Sequence, residues 1–494
     1  MNIANVLHRH APGALAIRGA QGERTYGQLR GEVSATAATL RASGVGVGDV
    51  VAIAMPNSIA HIATYYGAIT IGSVIASIDP HSTDKEIETR IELVRPRVIV
   101  VADELADRTV TIARRLADAP LVLASSDFTG HLQGVEHDVP VPRGVHDPAV
   151  ILFTSGSSGA PKGVVLTHGN VAYASQAQGR AMCASPADAV LLSAPMNHCF
   201  GQNAVLNAAM RAGSSVALVD PRRIRYMLDD LAKFSVTAVP TVPSVLRLML
   251  DLGADRSRLP RLRWAMTAAA TLPKETSCTW RTRFGFEVHE GYGLTETSPC
   301  AMYNDHVNSS PGSLGTAFDG VDTRVVRDDG TEVAVGEVGE LLIKGPNVMA
   351  GYFEDSESTT EVIKDGWLRT GDLVRVDNVG DYWLVGRSKN IIIVSGTTVF
   401  PAEIESVLLE HPDVVSAAVV GVPNDLTGEA IVAFVQVQPS ASQARVLDEL
   451  QSQSRRVLSA IKRPRLVRAL DLLPTLTSGK HDLCRLRDIA LSQS

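Results

Sequence analysis

Hydroxyls, glycines and one lysine crowd into the ten residues Thr154-Ser155-Gly156-Ser157-Ser158-Gly159-Ala160-Pro161-Lys162-Gly163. The glycines let the backbone turn tightly and approach a ligand, while the hydroxyls, the exposed amides and the Lys162 ammonium offer donors to an anion. That is the chemistry of a phosphate cradle. No Gly-Lys-Ser/Thr closes the run at the spacing a Walker A loop requires. An apolar run, Ala149 to Phe153, precedes the loop and Val164-Val165-Leu166-Thr167-His168 follows it. A Gly/Ser linker rarely sits between two strand-like pieces or carries a Pro-Lys-Gly.

Three further motifs carry chemistry. In Gly291-Tyr292-Gly293-Leu294-Thr295-Glu296-Thr297, two glycines frame an aromatic able to pack near a base. Thr295 can meet a phosphate oxygen, and Glu296 suits Mg²⁺, a hard cation that takes carboxylate and phosphate oxygens. In Trp367-Leu368-Arg369-Thr370-Gly371-Asp372 the aspartate, on a tight turn, can accept both hydroxyls of a ribose. In Pro474-Thr475-Leu476-Thr477-Ser478-Gly479-Lys480 a lysine sits on a glycine hinge near the C-terminus. Taken singly, each also reads as an ordinary turn or a solvated side chain. A fourth segment, Met196-Asn197-His198-Cys199-Phe200-Gly201, sets a histidine beside a cysteine. No base–orienter pattern surrounds the pair, so packing or gating fits His198 better than a thiol dyad.

The elements that must position these residues alternate between helix and strand. Residues 50–55 read as a strand, 58–71 as a Ser-capped buried helix and 73–78 as a strand. This uncharged stretch is therefore a covered βαβ unit, since Pro56-Asn57-Ser58 and Gly72-Ser73 interrupt it as a membrane span. Helical patterns recur at 25–43, 86–94, 203–212 and 222–233, and strands at 98–101, 215–219 and 236–239. That alternation predicts doubly wound parallel sheets. Residues 125–147 show no periodicity and read as a surface connection. From about Asp322, short strands at 323–327, 339–343, 373–376 and 382–385 are separated by turn residues, which predicts a β-rich subdomain. The last hundred or so residues have a hydrophobic set of their own, with helices at 402–410 and 443–458 and strands at 414–420 and 431–437. The fold class is thus α/β: a large N-terminal domain of doubly wound sheets with a β-rich subdomain, then a small α+β C-terminal domain.

Composition excludes several classes. A chain of 494 residues exceeds what one hydrophobic core holds. Its 45% hydrophobic and 20% charged residues are those of a soluble globular protein, and a net charge of −7 gives no general basis for nucleic-acid binding. Five scattered cysteines without a Cys-x-x-Cys pair fit a reduced, cytoplasmic protein. The N-terminus lacks the apolar core of a signal peptide. No Gly-x-Gly-x-x-Gly follows the first strand, as a nicotinamide dehydrogenase would require.

The motifs together, in this order and across essentially the whole chain from Thr25-Tyr26-Gly27-Gln28-Leu29 to Lys480, resemble the adenylate-forming superfamily of acyl- and aryl-CoA synthetases, peptide-synthetase adenylation domains and luciferases. Gly386-Arg387 and Phe400-Pro401-Ala402-Glu403-Ile404-Glu405 match as well. The resemblance implies a carboxylic acid and Mg-ATP converted to an acyl-adenylate and pyrophosphate, with the acyl group then passed to a pantetheine thiol. It places Thr154, Ser155, Gly156, Ser157, Ser158, Gly159 and Lys162 around the β- and γ-phosphates. Thr295 and Lys480 then act on the charge developing at the α-phosphate, and Glu296 holds Mg²⁺. Asp372 and Arg387 hold the ribose. Ala269, Ala270, Thr271, Glu290, Gly291, Tyr292 and Gly293 line the nucleotide. Ala268, His198, Phe200, Gly201, Val242 and Gly293 line the acyl pocket. Residues 1–386 correspond to the adenylation domain, 387–390 to a hinge centred on Lys389, and 391–494 to a mobile lid that withdraws Lys480 and brings Ser395-Gly396 to a pantetheine tunnel. Two departures stand out: Thr267-Ala268-Ala269-Ala270-Thr271 where Ser-Gly-Ala-Ala-Pro is commoner, and Thr397-Thr398 where Glu-Asn is frequent.

Peptide-synthetase domains place an aspartate near residues 196–201 to pair a substrate ammonium. This segment has no acid, so a fatty, aryl or alicyclic substrate is expected. For the acceptor, CoA is favoured over an acyl carrier protein because no long insertion of the dedicated acyl-adenylate ligases is evident. The six cations at 455–468 read first as a solvated face, and otherwise as those that would meet either CoA phosphates or an acidic carrier surface. A luciferase-like oxygenase shares every motif.

Overall fold

The computed structural model describes residues 1–131, 138–155, 161–219, 221–270, 272–307, 309–395, 397–424, 426–476 and 480–492, and of 129–131, 155, 221 and 222 the backbone alone. The chain forms two compact units, the first from Met1–Thr323 and Ile343–Leu368, the second from Arg324–Leu342 and Arg369–Ser494.

Local signals set the helices of the first unit. Tyr26–Ala42 starts at Thr25, whose hydroxyl accepts from the Gln28 N–H while the Gln28 side chain accepts from the Thr25 N–H. Ile59–Thr70 starts at Ser58, which accepts from the His61 N–H. Each such cap supplies a partner for an otherwise orphaned helical donor. The strand–helix–strand unit expected at 50–78 is present as Val50–Ala54, Ile59–Thr70 and Val74–Ser77.

Two sheets carry this unit. One runs in the order 351–352, 161–167, 148–155, 74–77, 50–54, 98–101, 121–124; the other in the order 316–317, 302–304, 289–292, 264–268, 238–241, 189–191, 215–218, 15–19, 24–25. A single core joins their facing sides: Ile53, Val100 and Leu152 of the first sheet and Val190, Val216 and Met266 of the second cluster with Tyr26, Leu29, Ile62 and Val171 of the helices between them. The helices 227–233, 243–251 and 274–284 cover the far face of the larger sheet, and 84–94 that of the smaller.

The expected doubly wound parallel order is present through the sheet centres and out to the 121–124 edge, and the flanking pairs run the other way. The pairs 148–155/161–167, 161–167/351–352, 289–292/302–304, 302–304/316–317 and 15–19/24–25 are antiparallel. Most of these pairs join strands that follow one another in the chain, where no helix is needed to return it, whereas 351–352 reaches 161–167 from a distant part of the sequence. The helix expected at 203–212 opens as a π-helix over Phe200–Asn207 before tightening to Ala208–Ala212. Such wide turns are frequent at functional sites.

In the second unit the strands 397–399, 392–394, 428–437 and 414–424 form a sheet in that order, with 466–469 parallel to 428–437. Ile404 and Leu408 of one helix and Val446 and Leu450 of another pack on one face, and Leu486 and Ala490 of a third pack on the other. The β-rich stretch beginning near Asp322 is shared between the units, the chain crossing at 323/324, 342/343 and 368/369.

Candidate active site

The two ends of the phosphate-loop motif lie in paired strands. Pro148–Ser155 pairs antiparallel with Pro161–Thr167, setting Thr154 opposite Lys162. Gly156, Ser157, Ser158, Gly159 and Ala160 lie outside the described residues, and Ser155 is described by its backbone alone. Lys162 donates through Nζ to Ser358 Oγ at 2.6 Å, and the same ammonium stands 4.8 Å from the centre of the Tyr352 ring. The Phe353 N–H donates to the Gly163 carbonyl at 2.7 Å, which ties the strand pair to the segment carrying that tyrosine.

Gly291 to Thr297 continues from the strand His289–Tyr292, which lies parallel to Trp264–Ala268 with Ala268 opposite Gly291. Close packing demands the second motif glycine, since a Cβ at Gly293 would fall 1.4 Å from the Pro299 carbonyl oxygen. The chain then makes a 3₁₀ turn over Thr295–Thr297, steadied by the Leu294 N–H donating to Thr297 Oγ1 at 2.8 Å. Glu296 is half-buried, and its Oε1 accepts from the Tyr352 hydroxyl at 3.0 Å. Burial, and then the Glu296 charge, push the Tyr352 phenol well above its usual range, so it stays a donor. Thr295 Oγ1 lies 3.6 Å from Cys199 Sγ. Lys162, Tyr352, Glu296, Thr295 and Cys199 thus belong to one locality of the first unit.

Ala268 is half-buried, and Ala269 and Ala270 are exposed; Thr271 lies outside the described residues. Ala269 has φ of 72°, a left-handed conformation that costs a non-glycine residue on the order of 1–3 kcal/mol and gathers at functional sites. Glu290 is raised by burial, opposed by the Gly312 N–H that donates to its Oε1 at 3.1 Å. Tyr292 is half-buried.

His198, Cys199 and Phe200 are all half-buried where the π-helix begins. A Cβ at Gly201 would meet the Pro195 oxygen at 2.3 Å, so only glycine lets the preceding loop cross the helix start. Phe200 packs against the buried apolar cluster of Ala174, Ala204 and Cys300, as does Phe318. Val242, half-buried, precedes the helix Pro243–Asp251.

In the second unit, Asp372 and Arg387 stand opposite each other in a hairpin, with Arg387 Nε 2.8 Å from Asp372 Oδ1. The Thr370 hydroxyl accepts from the Asp372 N–H at 3.0 Å and donates to the Leu341 carbonyl at 2.7 Å, fixing the turn. Lys389 is exposed in the 3₁₀ turn Ser388–Asn390. Ser395 has φ of 50° and donates its N–H to Thr427 O at 2.7 Å, while Gly396 lies outside the described residues. Lys480 is exposed; its carbonyl accepts from the Leu476 N–H at 2.8 Å across 477–479, which are not described.

Tyr352 and Ser358 escaped the sequence analysis. Tyr352 lies 56 residues from Glu296, and Ser358 lies 196 from Lys162, so no local spacing joins them. The one available signal was Gly351-Tyr352 ahead of the helix-capping Asp355.

Residues 5–353 match the AMP-binding enzyme family and 403–480 its C-terminal domain. The chain is 32% identical to a feruloyl-CoA synthase of Amycolatopsis sp, covering 96% of this chain and 95% of that one. It is 31% identical to a long-chain-fatty-acid–CoA ligase of Yersinia pestis over 94% and 89% of the two chains. The fold superimposes on ATP-bound MatB of Rhodopseudomonas palustris with a TM-score of 0.90 at 30% identity, covering 99% of both chains. The chain belongs to the AMP-binding enzymes of the adenylate-forming superfamily. Within it, the chain is a ligase of the AMP-forming acid–CoA ligase class.

Proposed function

We propose that this enzyme activates a fatty, aryl or alicyclic carboxylic acid as its acyl-adenylate, with ATP and Mg²⁺, and transfers the acyl group to the thiol of CoA. The observation that carries the substrate class is the packing of Phe200 against the apolar cluster of Ala174, Ala204 and Cys300, beside a 196–201 segment that contains no carboxylate. An α-ammonium there would be desolvated without a counter-ion. In the first half-reaction a substrate carboxylate oxygen bonds to the α-phosphorus as the bond to the pyrophosphate oxygen breaks. In the second, the thiol sulfur attacks the acyl carbon and AMP departs.

Lys162 and the hydroxyls of the 154–159 loop hold the outer phosphates, and Thr295 and Lys480 stabilise charge at the α-phosphate. Glu296 supplies one carboxylate to Mg²⁺, which suits an ion that takes most of its other oxygens from nucleotide phosphates and water. Held there, Mg²⁺ would supply charge stabilisation to the pyrophosphate leaving group. Asp372 and Arg387 take the ribose. His198 gates the acyl pocket, and Ser395-Gly396 belongs to the pantetheine tunnel. Lys389, in its exposed turn, is the hinge between residues 1–386 and 391–494 for the change of half-reaction.

Two features favour CoA over an acyl carrier protein. Lys462 donates to both oxygens of Glu403, at 2.7 and 2.8 Å, and Arg463 donates to the carbonyls of Leu458 and Arg455. Glu403 thus offsets the Lys462 charge, and the carbonyls tie down the Arg463 guanidinium, which keeps its charge. The 455–468 run therefore presents one fewer net charge to an acidic protein surface than its composition promises. Among the described residues, no helix is long and apolar enough to cross a membrane. The test is ATP–pyrophosphate exchange over a panel of fatty, aryl, alicyclic and amino acids, followed by CoA and a holo-carrier protein with the best acid. Exchange confined to amino acids refutes the substrate class. Turnover with holo-carrier but not with CoA refutes the acceptor, and light or oxygen uptake would assign an oxygenase.

A further inference from the structure

We propose that Tyr352 is a positioning residue for adenylation: its hydroxyl holds the Glu296 carboxylate and its ring face holds the Lys162 ammonium, so that one side chain sets the metal-binding and phosphate-binding groups relative to each other. The hydroxyl donates to Glu296 Oε1 at 3.0 Å, and Lys162 Nζ lies 4.8 Å from the ring centre. A cation over an aromatic face and a charge-assisted hydrogen bond at the ring's far end are independent attractions that one tyrosine satisfies together.

The segment carrying Tyr352 is built to hold it still. Gly351-Tyr352 adds an edge strand to Pro161–Thr167, with Tyr352 opposite Val164. The Tyr352 N–H donates to Thr359 Oγ1 at 2.8 Å, and that hydroxyl donates to the Asp355 carbonyl at 2.7 Å. Asp355 in turn caps the helix Ser356–Val362 by accepting from the Ser358 N–H at 2.9 Å. Ser358 returns to the site by accepting from Lys162 Nζ at 2.6 Å. Residues 351–359 therefore form a clasp whose side-chain contacts on the nucleotide machinery are made by Tyr352 and Ser358. At Gly351, with φ of 149°, an added Cβ would meet Thr359 Cγ2 at 2.8 Å, so the clasp closes only on glycine.

The inference rests on the reading of Glu296 as the carboxylate that takes the metal, and the test separates the two. Mn²⁺ binding to the full chain with α,β-methylene-ATP is followed by electron paramagnetic resonance, without turnover, for Tyr352→Phe, Glu296→Gln and the double variant. Tyr352→Phe keeps the ring and deletes only the hydroxyl. It should weaken Mn²⁺ binding about tenfold, as expected when a charged acceptor loses a hydrogen bond. Glu296→Gln should weaken it at least as much, and the double variant no further, because the hydroxyl acts through the carboxylate.

A wild-type affinity in Tyr352→Phe beside a weakened Glu296→Gln overturns the positioning role and leaves the Glu296 reading standing. An unchanged Glu296→Gln overturns that reading and the inference with it, and fully additive losses also overturn the inference. The ring is tested by calorimetry of the same analogue in EDTA. Tyr352→Phe should bind like wild type and Tyr352→Leu several-fold more weakly, because Lys162 has lost its platform. Equal binding by Tyr352→Phe and Tyr352→Leu overturns the ring's part.

Discussion

Replacing Arg387 by alanine should destabilise the second unit by about 2 kcal/mol, an amount set by how unequally the two partners are buried. The Asp372 side chain is 3% exposed, whereas Arg387, 2.8 Å away, is 48% exposed. At an effective dielectric of about 20, unit charges so separated attract by about 6 kcal/mol. Water around the half-exposed guanidinium screens much of that attraction, and desolvation of the aspartate offsets more. Truncating one partner of a fully buried pair costs about 3–5 kcal/mol, and one partner's exposure lowers this to the working figure. Arg387→Lys keeps the charge but loses the planar fork and should fall between alanine and wild type.

Urea unfolding followed by fluorine NMR of 5-fluorotryptophan-labelled protein isolates the effect. Trp383, whose indole donates to Asp377 Oδ2 at 2.7 Å, lies in the second unit, while Trp264, Trp280 and Trp367 lie in the first. With a urea slope of about 2 kcal/mol per molar, the Trp383 midpoint should fall by about 1 M while the others stay. An unmoved Trp383 midpoint would refute the reasoning, because the aspartate's burial would then owe nothing to its arginine.

Lys480→Ala should cut pyrophosphate exchange by orders of magnitude but spare thioester formation from supplied acyl-adenylate; equal loss in both half-reactions counts against its role. Lys389→Pro should do the reverse, since a fixed φ hampers hinge motion while adenylation persists, and a variant normal in both steps places the hinge elsewhere. Burial pushes the Glu405 carboxyl up to about 7, against the Val419 N–H that donates to it at 2.8 Å. A carboxyl that holds its proton more tightly folded than unfolded stabilises below its unfolded value and loses that stability as pH rises through its folded value. The second unit should therefore weaken by about 2–3 kcal/mol between roughly pH 4.5 and 7. Denaturation across that window should flatten in Glu405→Gln, and an equal slope in both proteins would exclude Glu405 as the source.

What was legible in the sequence was local. The caps at Thr25 and Ser58, the buried strands at 50–54 and 98–101 and the two strands flanking the phosphate loop all announce themselves within a few residues. Antiparallel sheet edges were not, because a strand's apolar run carries no sign of its partner's direction. The π-helix was not legible either, since nothing local in 200–207 marks the wider turn or the close approach of the 194–195 backbone at Gly201. Tyr352 was the costliest omission: its importance arises from Lys162 and Glu296 converging on it across long stretches of chain, and no periodicity encodes that. Asp372 was read as a ribose acceptor, but its register with Arg387 across a hairpin appears only once the strands pair.

The two glycines around Tyr292 have unequal consequences for redesign. At Gly293 the obstacle to any side chain is the main-chain oxygen of Pro299, which no mutation elsewhere removes. A lineage that had lost nucleotide binding altogether would still have to keep this glycine in order to fold. Retention of Gly-Tyr-Gly is thus poor testimony to activity, and Thr295 and Glu296 are the better witnesses. At Gly291 the obstacle is the tip of the Met266 side chain, 1.9 Å from where a Cβ would stand. Shortening residue 266 while enlarging residue 291 exchanges volume between two strands without moving either backbone. Redesign of this strand pair therefore has a paired dial at 266 and 291, and a fixed stop at 293.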